Sequence, residues 1–95
     1  MKIDQHALDE ICARNDVSSL RLFGSVARGE DTPESDIDLL VEFHRRKSLL
    51  DLVRIEREFS EGLGREVDLL TPASVSPYLR DHIYAESRLV YERPE

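Results

Sequence analysis

Residues 36–43 alternate between two kinds of side chain, and this alternation limits the possible folds more than any other stretch of the chain. Because successive side chains of a β-strand point to opposite faces, one face of such a strand is fully apolar and the other is largely acidic. The apolar face carries Ile37, Leu39, Val41 and Phe43, and the other face carries Asp36, Asp38, Leu40 and Glu42. This pattern is typical of a sheet that helices cover on one side only, so we expect a sheet with one open, acidic face.

Helices are predicted before and after this strand. They span residues 4–15, 49–61 and 77–86, where apolar residues recur at helical spacing. Asp4, Ser48 and Ser76 stand where an N-cap side chain accepts a hydrogen bond from the first helical turn, and Pro77 suits the first helical position. The side chains expected to face the core are Leu49, Leu52, Val53, Ile55 and Phe59 from the middle helix and Leu79 and Ile83 from the last helix.

Short strands are predicted between these helices and after them. They span residues 20–23, 65–70 and 89–91, the last of which could instead be a docked tail. Val67 and Leu69 point to the core, so that Asp68 points the opposite way. The connecting segments are a single helical turn over 26–29 and a loop over 31–35. This order of elements predicts an α/β or α+β fold with a small mixed β-sheet, in one domain that spans residues 1–95.

The overall composition argues against several classes of protein. The net charge of −7 opposes tight, nonspecific binding to DNA or RNA and favours a metal site, a small-molecule substrate or a basic protein partner. No apolar run approaches the ~20 residues that span a membrane, and the N-terminus lacks the apolar stretch of a signal peptide, so we expect a cytoplasmic protein. Cys12 is the single cysteine, which excludes an intrachain disulfide, and the histidines show no zinc-ligand spacing.

The aspartates of the acidic face have the pattern of a metal site. Asp36 and Asp38 are two residues apart on one strand, so their side chains share a face and their Cα atoms lie roughly 6.5–7 Å apart. Two carboxylates held close repel each other unless a cation or a proton intervenes, and all-oxygen ligands suit Mg²⁺ or Mn²⁺. If the strand of Asp68 lies beside this strand, three carboxylates could bracket two ions roughly 3.5–4 Å apart.

An exposed strand face can also be acidic merely because water solvates it. Solvation suffices for Glu42 and Glu66, and it would suffice for any one of the aspartates alone. It explains the three aspartates together less well, because they face the same way on segments that can be neighbours in the sheet.

Gly24 and Ser25 end a predicted strand and open a helical turn. A helix N-terminus offers free N–H groups and the positive end of the helix dipole, which suit a phosphate. Gly24 lets the backbone approach the phosphate without an intervening Cβ, and the Ser25 hydroxyl and amide can both donate to it. Arg28 could reach the same anion, and Arg21 could point to the open face. A Gly-Ser turn is a common exit from a strand, and it gains weight here from the ten residues that separate it from Asp36.

These pieces form one pattern: Gly24-Ser25, ten residues, Asp36-Ile37-Asp38 and the later Asp68. With the flanking stretches 22–29 and 35–41, the pattern resembles the DNA polymerase β-like nucleotidyltransferase superfamily. Within that superfamily the chain is similar to the minimal nucleotidyltransferase (MNT) group, the antitoxin partners of HEPN-domain toxins. The resemblance covers about residues 20–91, and the first helix fits it too.

The resemblance implies a core that transfers a nucleoside monophosphate from a nucleoside triphosphate and releases pyrophosphate. Gly24 and Ser25 would hold the triphosphate. Asp36 and Asp38 would bind both nucleotide and metal, and Asp68 would complete the metal site and activate the acceptor hydroxyl. The expected cofactor is Mg²⁺, as two ions, and the expected substrate is ATP.

The acceptor is expected to come from another molecule, because the chain ends soon after the last predicted helix. In the MNT group the partner is a helical HEPN protein, an RNase toxin, which is neutralised when AMP is added to one of its tyrosines. The resemblance therefore implies a protein adenylyltransferase that acts as an antitoxin.

Several alternatives to this function stay open. The chain could be an antitoxin that only binds, with a vestigial site, or it could modify a small molecule. Tyr78, Leu79 and Tyr84 could form an interface in a homo- or hetero-oligomer, whereas direct binding to nucleic acid is not expected. Tyr84 and Tyr91 could in principle accept AMP themselves, but nothing in the sequence singles them out.

Overall fold

The computed structural model describes residues 3–30, 32 and 35–93, with the backbone alone for Ser25 and Val26. Within this part of the chain, one mixed sheet contains four strands. The strands are β1 (Val17–Phe23), β2 (Ile37–Phe43), β3 (Val67–Leu70) and β4 (Arg88–Glu92). They lie in the order β3-β2-β1-β4, so that β3 and β4 form the two edges. β1 is antiparallel to β2 and β4, whereas β2 and β3 run parallel.

The helices begin where the sequence places N-cap residues. They are α1 (Gln5–Arg14), the short α2 (Gly24–Ala27), α3 (Leu49–Leu63) and α4 (Pro77–Glu86), with a 3₁₀ turn over Pro72–Ser74. Asp4 accepts a hydrogen bond from the backbone N–H of Ala7 at 3.1 Å, which caps α1. Ser48 and Asp51 form a reciprocal capping box at the start of α3, with both hydrogen bonds at 3.1 Å.

α1 and α3 cover the apolar face of the sheet. Three predicted inward residues of β2 are fully buried with side chains from both helices and from β1. The members of this core include Leu8, Cys12, Leu20, Ile37, Leu39, Val41, Ile55 and Phe59, each with 0% of its surface exposed. The predicted packing of helices on the apolar face is therefore confirmed for α1 and α3. The other face is less open than expected: the 3₁₀ turn packs against β2, Leu40 is buried, and α4 approaches this face through Tyr84.

Three side chains that we expected in the core lie at the surface. Leu49 is 77% exposed and Val53 is 51% exposed, because the first turns of α3 extend past the short edge strand β3. Leu79 is 55% exposed, since α4 buries none of its residues and approaches the sheet through longer side chains. The expectation of a core position for these three residues was wrong, whereas Ile55 and Phe59 are confirmed.

Some element boundaries differ from those read off the sequence. β1 begins at Val17 rather than at residue 20, because an irregular register between Val17 and Ser19 interrupts the alternation of side chains there. β3 begins at Val67 rather than at 65, and α2 spans Gly24–Ala27 rather than 26–29. The expected loop over 31–35 lies partly outside the described residues.

No helix of the described ranges combines the length and the apolar composition needed to cross a bilayer.

Candidate functional site

Asp38 and Asp68 are direct neighbours across two parallel strands. The register of β2 and β3 pairs Asp38 with Asp68 and Leu40 with Leu70. Paired residues of adjacent strands share a face, and the strands lie about 4.8 Å apart. The two carboxylates therefore stand side by side on the open face. The strand of Asp68 lies beside the strand of Asp38, as the predicted metal site requires. Asp36 is exposed and immediately precedes β2, two residues before Asp38.

The electrostatics of Asp38 reflect this crowding. Its pKa is raised above that of an ordinary aspartate, first by burial and then by the negative charges of Asp68 and Asp36. The positive charge of Arg28 acts in the opposite direction. Asp38 is therefore a half-buried carboxylate that lacks enough positive charge around it, and a cation would relieve this deficit.

The three aspartates fit a hard divalent cation in their chemistry. They offer carboxylate oxygens alone, which Mg²⁺ prefers, and their mutual repulsion favours a bound cation. Across the described ranges, no group of three His, Cys, Asp or Glu side chains is already arranged to hold a metal ion. A cation at Asp36, Asp38 and Asp68 would therefore draw their carboxylates together by side-chain rotation.

Gly24 stands at the junction of β1 and α2, beside Asp38. β1 pairs Phe23 with Asp38, so the turn that follows Phe23 is next to the carboxylate. Gly24 has a φ of 77°, a left-handed conformation that favours glycine. A Cβ on Gly24 would overlap the carboxylate of Asp38. Glycine is therefore required here for the position of Asp38, a reason that the sequence did not reveal. Ser25 follows as part of α2, and its side chain lies outside the described part of the structure.

Arg28 follows α2 and links the turn to α4. Its backbone N–H donates to the carbonyl oxygen of Gly24 at 3.2 Å. Its guanidinium forms ion pairs with Glu30 at 3.2 Å and with Glu86 of α4 at 3.8 Å. All three side chains are substantially exposed, so the ion pairs are weak and can be exchanged for other anions. The structure brings Arg28 close enough to Asp38 for its charge to act on that carboxyl group, and it adds a contact with α4 that was not expected. The role of Arg28 in binding the triphosphate stays a prediction.

A second group of polar side chains lies on the same face of the sheet, under α4. The guanidinium of Arg21 stands 5.1 Å from the centre of the Tyr84 ring and donates to Ser87 Oγ at 3.2 Å. Burial raises the pKa of Tyr84, and so do the charge of Glu42 and a hydrogen bond to it. Arg21 faces the open side, as expected. No local pattern links β1 to a tyrosine near the end of the chain, so this group could not be read from the sequence.

Comparisons with known proteins agree with this geometry. Residues 5–90 match the family model described as a nucleotidyltransferase domain. A relative from Methanocaldococcus jannaschii, named as a proposed protein adenylyltransferase, is 51% identical over 77 residues, which are 81% of this chain and 83% of the relative. The family model covers most of the chain, so the family is established on sequence as well as on fold.

Several solved structures with the same fold come from toxin–antitoxin complexes. A chain of a toxin–antitoxin complex with AMP-PNP superposes with a TM-score of 0.82 at 19% identity, over 96% of this chain and 75% of that chain. A complex of a tri-AMPylated HEPN toxin from Shewanella oneidensis with an MNT antitoxin gives a TM-score of 0.71 at 18% identity, over 94% of this chain and 70% of that chain. At such identities the likeness shows the fold. With the fold, the register of the aspartates and the family match in agreement, this chain belongs to the nucleotidyltransferase domain family and has the mixed sheet that its sequence predicted.

Proposed function

We propose that this protein transfers AMP from ATP to a hydroxyl group of a HEPN-domain toxin, most simply a tyrosine, and thereby acts as an antitoxin in the cytoplasm. The observation that carries the proposal is the register that sets Asp68 beside Asp38 on an open face, next to the Gly24 turn. The 51% identical relative supports AMP transfer to protein, and the AMPylated HEPN toxin supports the class of acceptor.

Each site residue has a distinct part in the proposed reaction. Asp36 and Asp38 would hold Mg²⁺, which supplies charge neutralisation for the triphosphate and for the developing pyrophosphate. Asp68, on the strand at the edge of the sheet, would accept the proton of the acceptor hydroxyl. The hydroxyl oxygen then forms a bond to the α-phosphorus, and the bond from that phosphorus to the pyrophosphate oxygen breaks.

The triphosphate would lie at the start of α2. The Gly24 turn lies against the Asp38 carboxylate, and the backbone N–H groups of α2, which begins there, would donate to a phosphate together with Ser25. Arg28 would leave its exposed glutamate partners for the more highly charged triphosphate, which offers charge-assisted hydrogen bonds in a less solvated place.

The test is AMP transfer from labelled ATP to the HEPN-domain protein encoded beside this chain, with Mg²⁺ present. We expect Asp68→Asn to lower the rate by at least about 100-fold, the usual range for the loss of a positioned acid–base group, and Asp38→Asn to lower it at least as much, because it removes a metal ligand. Glu66→Gln is the matched control, because Glu66 is an exposed acid one residue before β3. Equal transfer by Asp38→Asn and the wild type would refute the proposed site.

An antitoxin that only binds is the second candidate. The observation in its favour is that no described carboxylates are already arranged as a metal site. The two functions can be distinguished by toxin neutralisation in cells, because the enzymatic function requires Asp38 and the binding function does not. Full neutralisation of the toxin by Asp38→Asn would support the binding function.

A further inference from the structure

An apolar groove lies between the first turns of α3 and the edge strand β3. Its walls include Leu49, Leu52, Val53, Leu69 and Leu70, and its volume is about 220 Å³. Leu50, next to the groove, is 82% exposed, and Leu49 and Val53 were named above as exposed too. Contiguous apolar surface of this kind marks a place where another molecule binds.

The size of the groove and its edge restrict what can bind there. A volume of about 220 Å³ is smaller than the pockets of roughly 300–1,000 Å³ that enclose whole small ligands, so it suits a few side chains of a protein. The adjacent strand edge is closed to strand addition. Ser60 accepts a hydrogen bond from the N–H of Val67, and Glu56 accepts one from the N–H of Leu69, each at 3.0 Å. Among the common ways in which a protein recognises a segment of its partner, an amphipathic helix laid in an apolar groove fits these features best.

Two exposed arginines belong to the segments that form or lead into the groove, in an otherwise acidic chain. Arg46 lies in the loop that leads into α3, and Arg57 lies one helical turn after Val53. Neither forms an ion pair within the part of the chain that the structure describes, whereas Glu56 in the groove wall already accepts from the N–H of Leu69. A helix with acidic residues beside its apolar stripe would complement both features.

The groove is also on the side from which an acceptor must approach. Asp68 is two residues from Leu70 on the same face of β3, a distance of roughly 6.5–7 Å between their Cα atoms. Leu70 also lines the groove and β3 is an edge strand, so a protein seated in the groove would lie beside the face that carries Asp68. A docked helix would therefore hold the acceptor in reach of the carboxylate.

We propose that this groove docks an amphipathic helix of the acceptor protein, with its apolar side chains between α3 and β3 and its acidic residues against Arg46 and Arg57. The inference rests on the proposed function, because it names the surface through which the acceptor of that reaction is recognised. It concerns recognition alone, since neither the groove nor its rim contains a residue of the proposed nucleotide site.

The experiment compares Val53→Glu with Leu89→Glu, using the neighbour-encoded HEPN-domain protein as probe. Leu89 is a matched control, because it is 45% exposed and lies on β4, at the edge of the sheet opposite to β3. Three strand spacings, about 14 Å, separate β4 from β3. We expect Val53→Glu to raise the KM for the acceptor at least tenfold, the effect of a moderate interface residue, while the affinity for ATP and the melting temperature stay near wild type. Leu89→Glu should leave all three values unchanged. The double variant Arg46→Glu, Arg57→Glu should weaken the salt dependence of acceptor binding.

The result that overturns the inference is an equal KM for Val53→Glu and Leu89→Glu. A wild-type dimer that dissociates in Val53→Glu would overturn it as well, because a second copy would then occupy the groove. Failure of the proposed function looks different: the wild type would transfer no AMP. Calorimetric binding of the HEPN-domain protein needs no turnover, so loss of binding in Val53→Glu would still support the groove in that case.

Discussion

Glycine is needed at position 24 for two reasons: the left-handed φ and the close approach of Asp38. A comparison with Gly29 can separate these two reasons. Gly24 and Gly29 have similar left-handed φ angles of 77° and 73°, so alanine at either costs roughly 1 kcal/mol in backbone strain. In the described structure no atom lies within 4 Å of a Cβ on Gly29, whereas a Cβ on Gly24 would overlap the Asp38 carboxylate.

We therefore expect Gly24→Ala and Gly29→Ala to lower the melting temperature by similar amounts, of about 4–8 °C. Gly24→Ala alone should weaken the binding of ATP with Mg²⁺, by at least about tenfold, because Asp38 must rotate away. Thermal unfolding and ATP titration measure the two effects. Equal ATP affinity in both variants would show that the position of Asp38 does not depend on Gly24.

Cys12 is a buried thiol with no chemical part in the site. Burial raises its pKa to about 12, with a further contribution from the negative charge of Asp9. Because the thiolate is the reactive form, we expect Ellman's reagent at pH 8 to label the folded protein at least about 100-fold more slowly than the protein in guanidinium chloride. Cys12 is the single cysteine, so the signal is unambiguous. Rapid labelling of the folded protein would mean that α1 opens readily.

At the scale of single residues, the facing of the aspartates could be predicted, because alternation along a strand is a local rule. Asp38 and Asp68 stand on the open face for that reason. The contact between Gly24 and Asp38 could not be predicted, since it depends on how closely the turn after β1 approaches β2. The roles of these residues stay predictions until the variants are measured.

At the scale of elements, the capping box of α3 offers a direct test of stability. Ser48 and Asp51 exchange hydrogen bonds with each other's backbone N–H groups. Ser48→Ala should cost about 1 kcal/mol and lower the melting temperature by about 4–8 °C.

Ser76→Ala is the comparison for this cap. The Ser76 hydroxyl makes one capping bond, at 3.3 Å, and caps a helix that buries none of its residues. Its loss should therefore cost less than the loss of Ser48. A larger effect for Ser76→Ala would show that α4 contributes more to stability than its burial indicates.

Helical periodicity located α3 but misjudged how much of the helix is covered. The pattern marks Leu49, Val53 and Phe59 as one apolar side, and Phe59 is fully buried. Periodicity predicts the direction in which a side chain points. Whether that side chain is buried depends on the length of the element that packs against it, which here is β3. β3 is an edge strand of four residues, so it covers the first turns of α3 only in part. The apolar groove is the consequence, and its position beside Asp68 is the basis of the proposed docking.

At the scale of the whole molecule, the order of the strands decides whether there is a site at all. Local patterns place Asp38 and Asp68 on open strand faces, but they do not state that β2 and β3 are neighbours or that they run parallel. The resemblance to a known family supplied that expectation. The approach of α4 to the open face through Tyr84 and Arg21 was not predicted, because it joins segments from opposite ends of the chain.

The crowding of negative charge gives the whole molecule a stability that depends on Asp38. Because the pKa of Asp38 is raised in the folded state, the folded protein holds this proton to a higher pH than the unfolded chain does. The contribution of Asp38 to stability is therefore most favourable below the ordinary carboxyl pKa of about 4, and it falls as the pH rises through the raised value. At pH 7 the ionised carboxylate destabilises the metal-free fold.

Asp38→Asn removes the charge and keeps the shape of the side chain, so with a chelator present we expect it to melt at a higher temperature than the wild type at pH 7. The difference should shrink as the pH falls below about 4, where the wild-type carboxyl is neutral as well. Mg²⁺ with ATP should stabilise the wild type and leave Asp38→Asn unchanged, because a ligand stabilises the state that binds it. Melting curves at several pH values, with Glu66→Gln as the control for loss of an exposed acid, measure both effects. A wild type that melts above Asp38→Asn at pH 7 without metal would mean that the neighbouring positive charge of Arg28 outweighs burial and the two aspartates, and the argument for a cation at this face would lose its electrostatic basis.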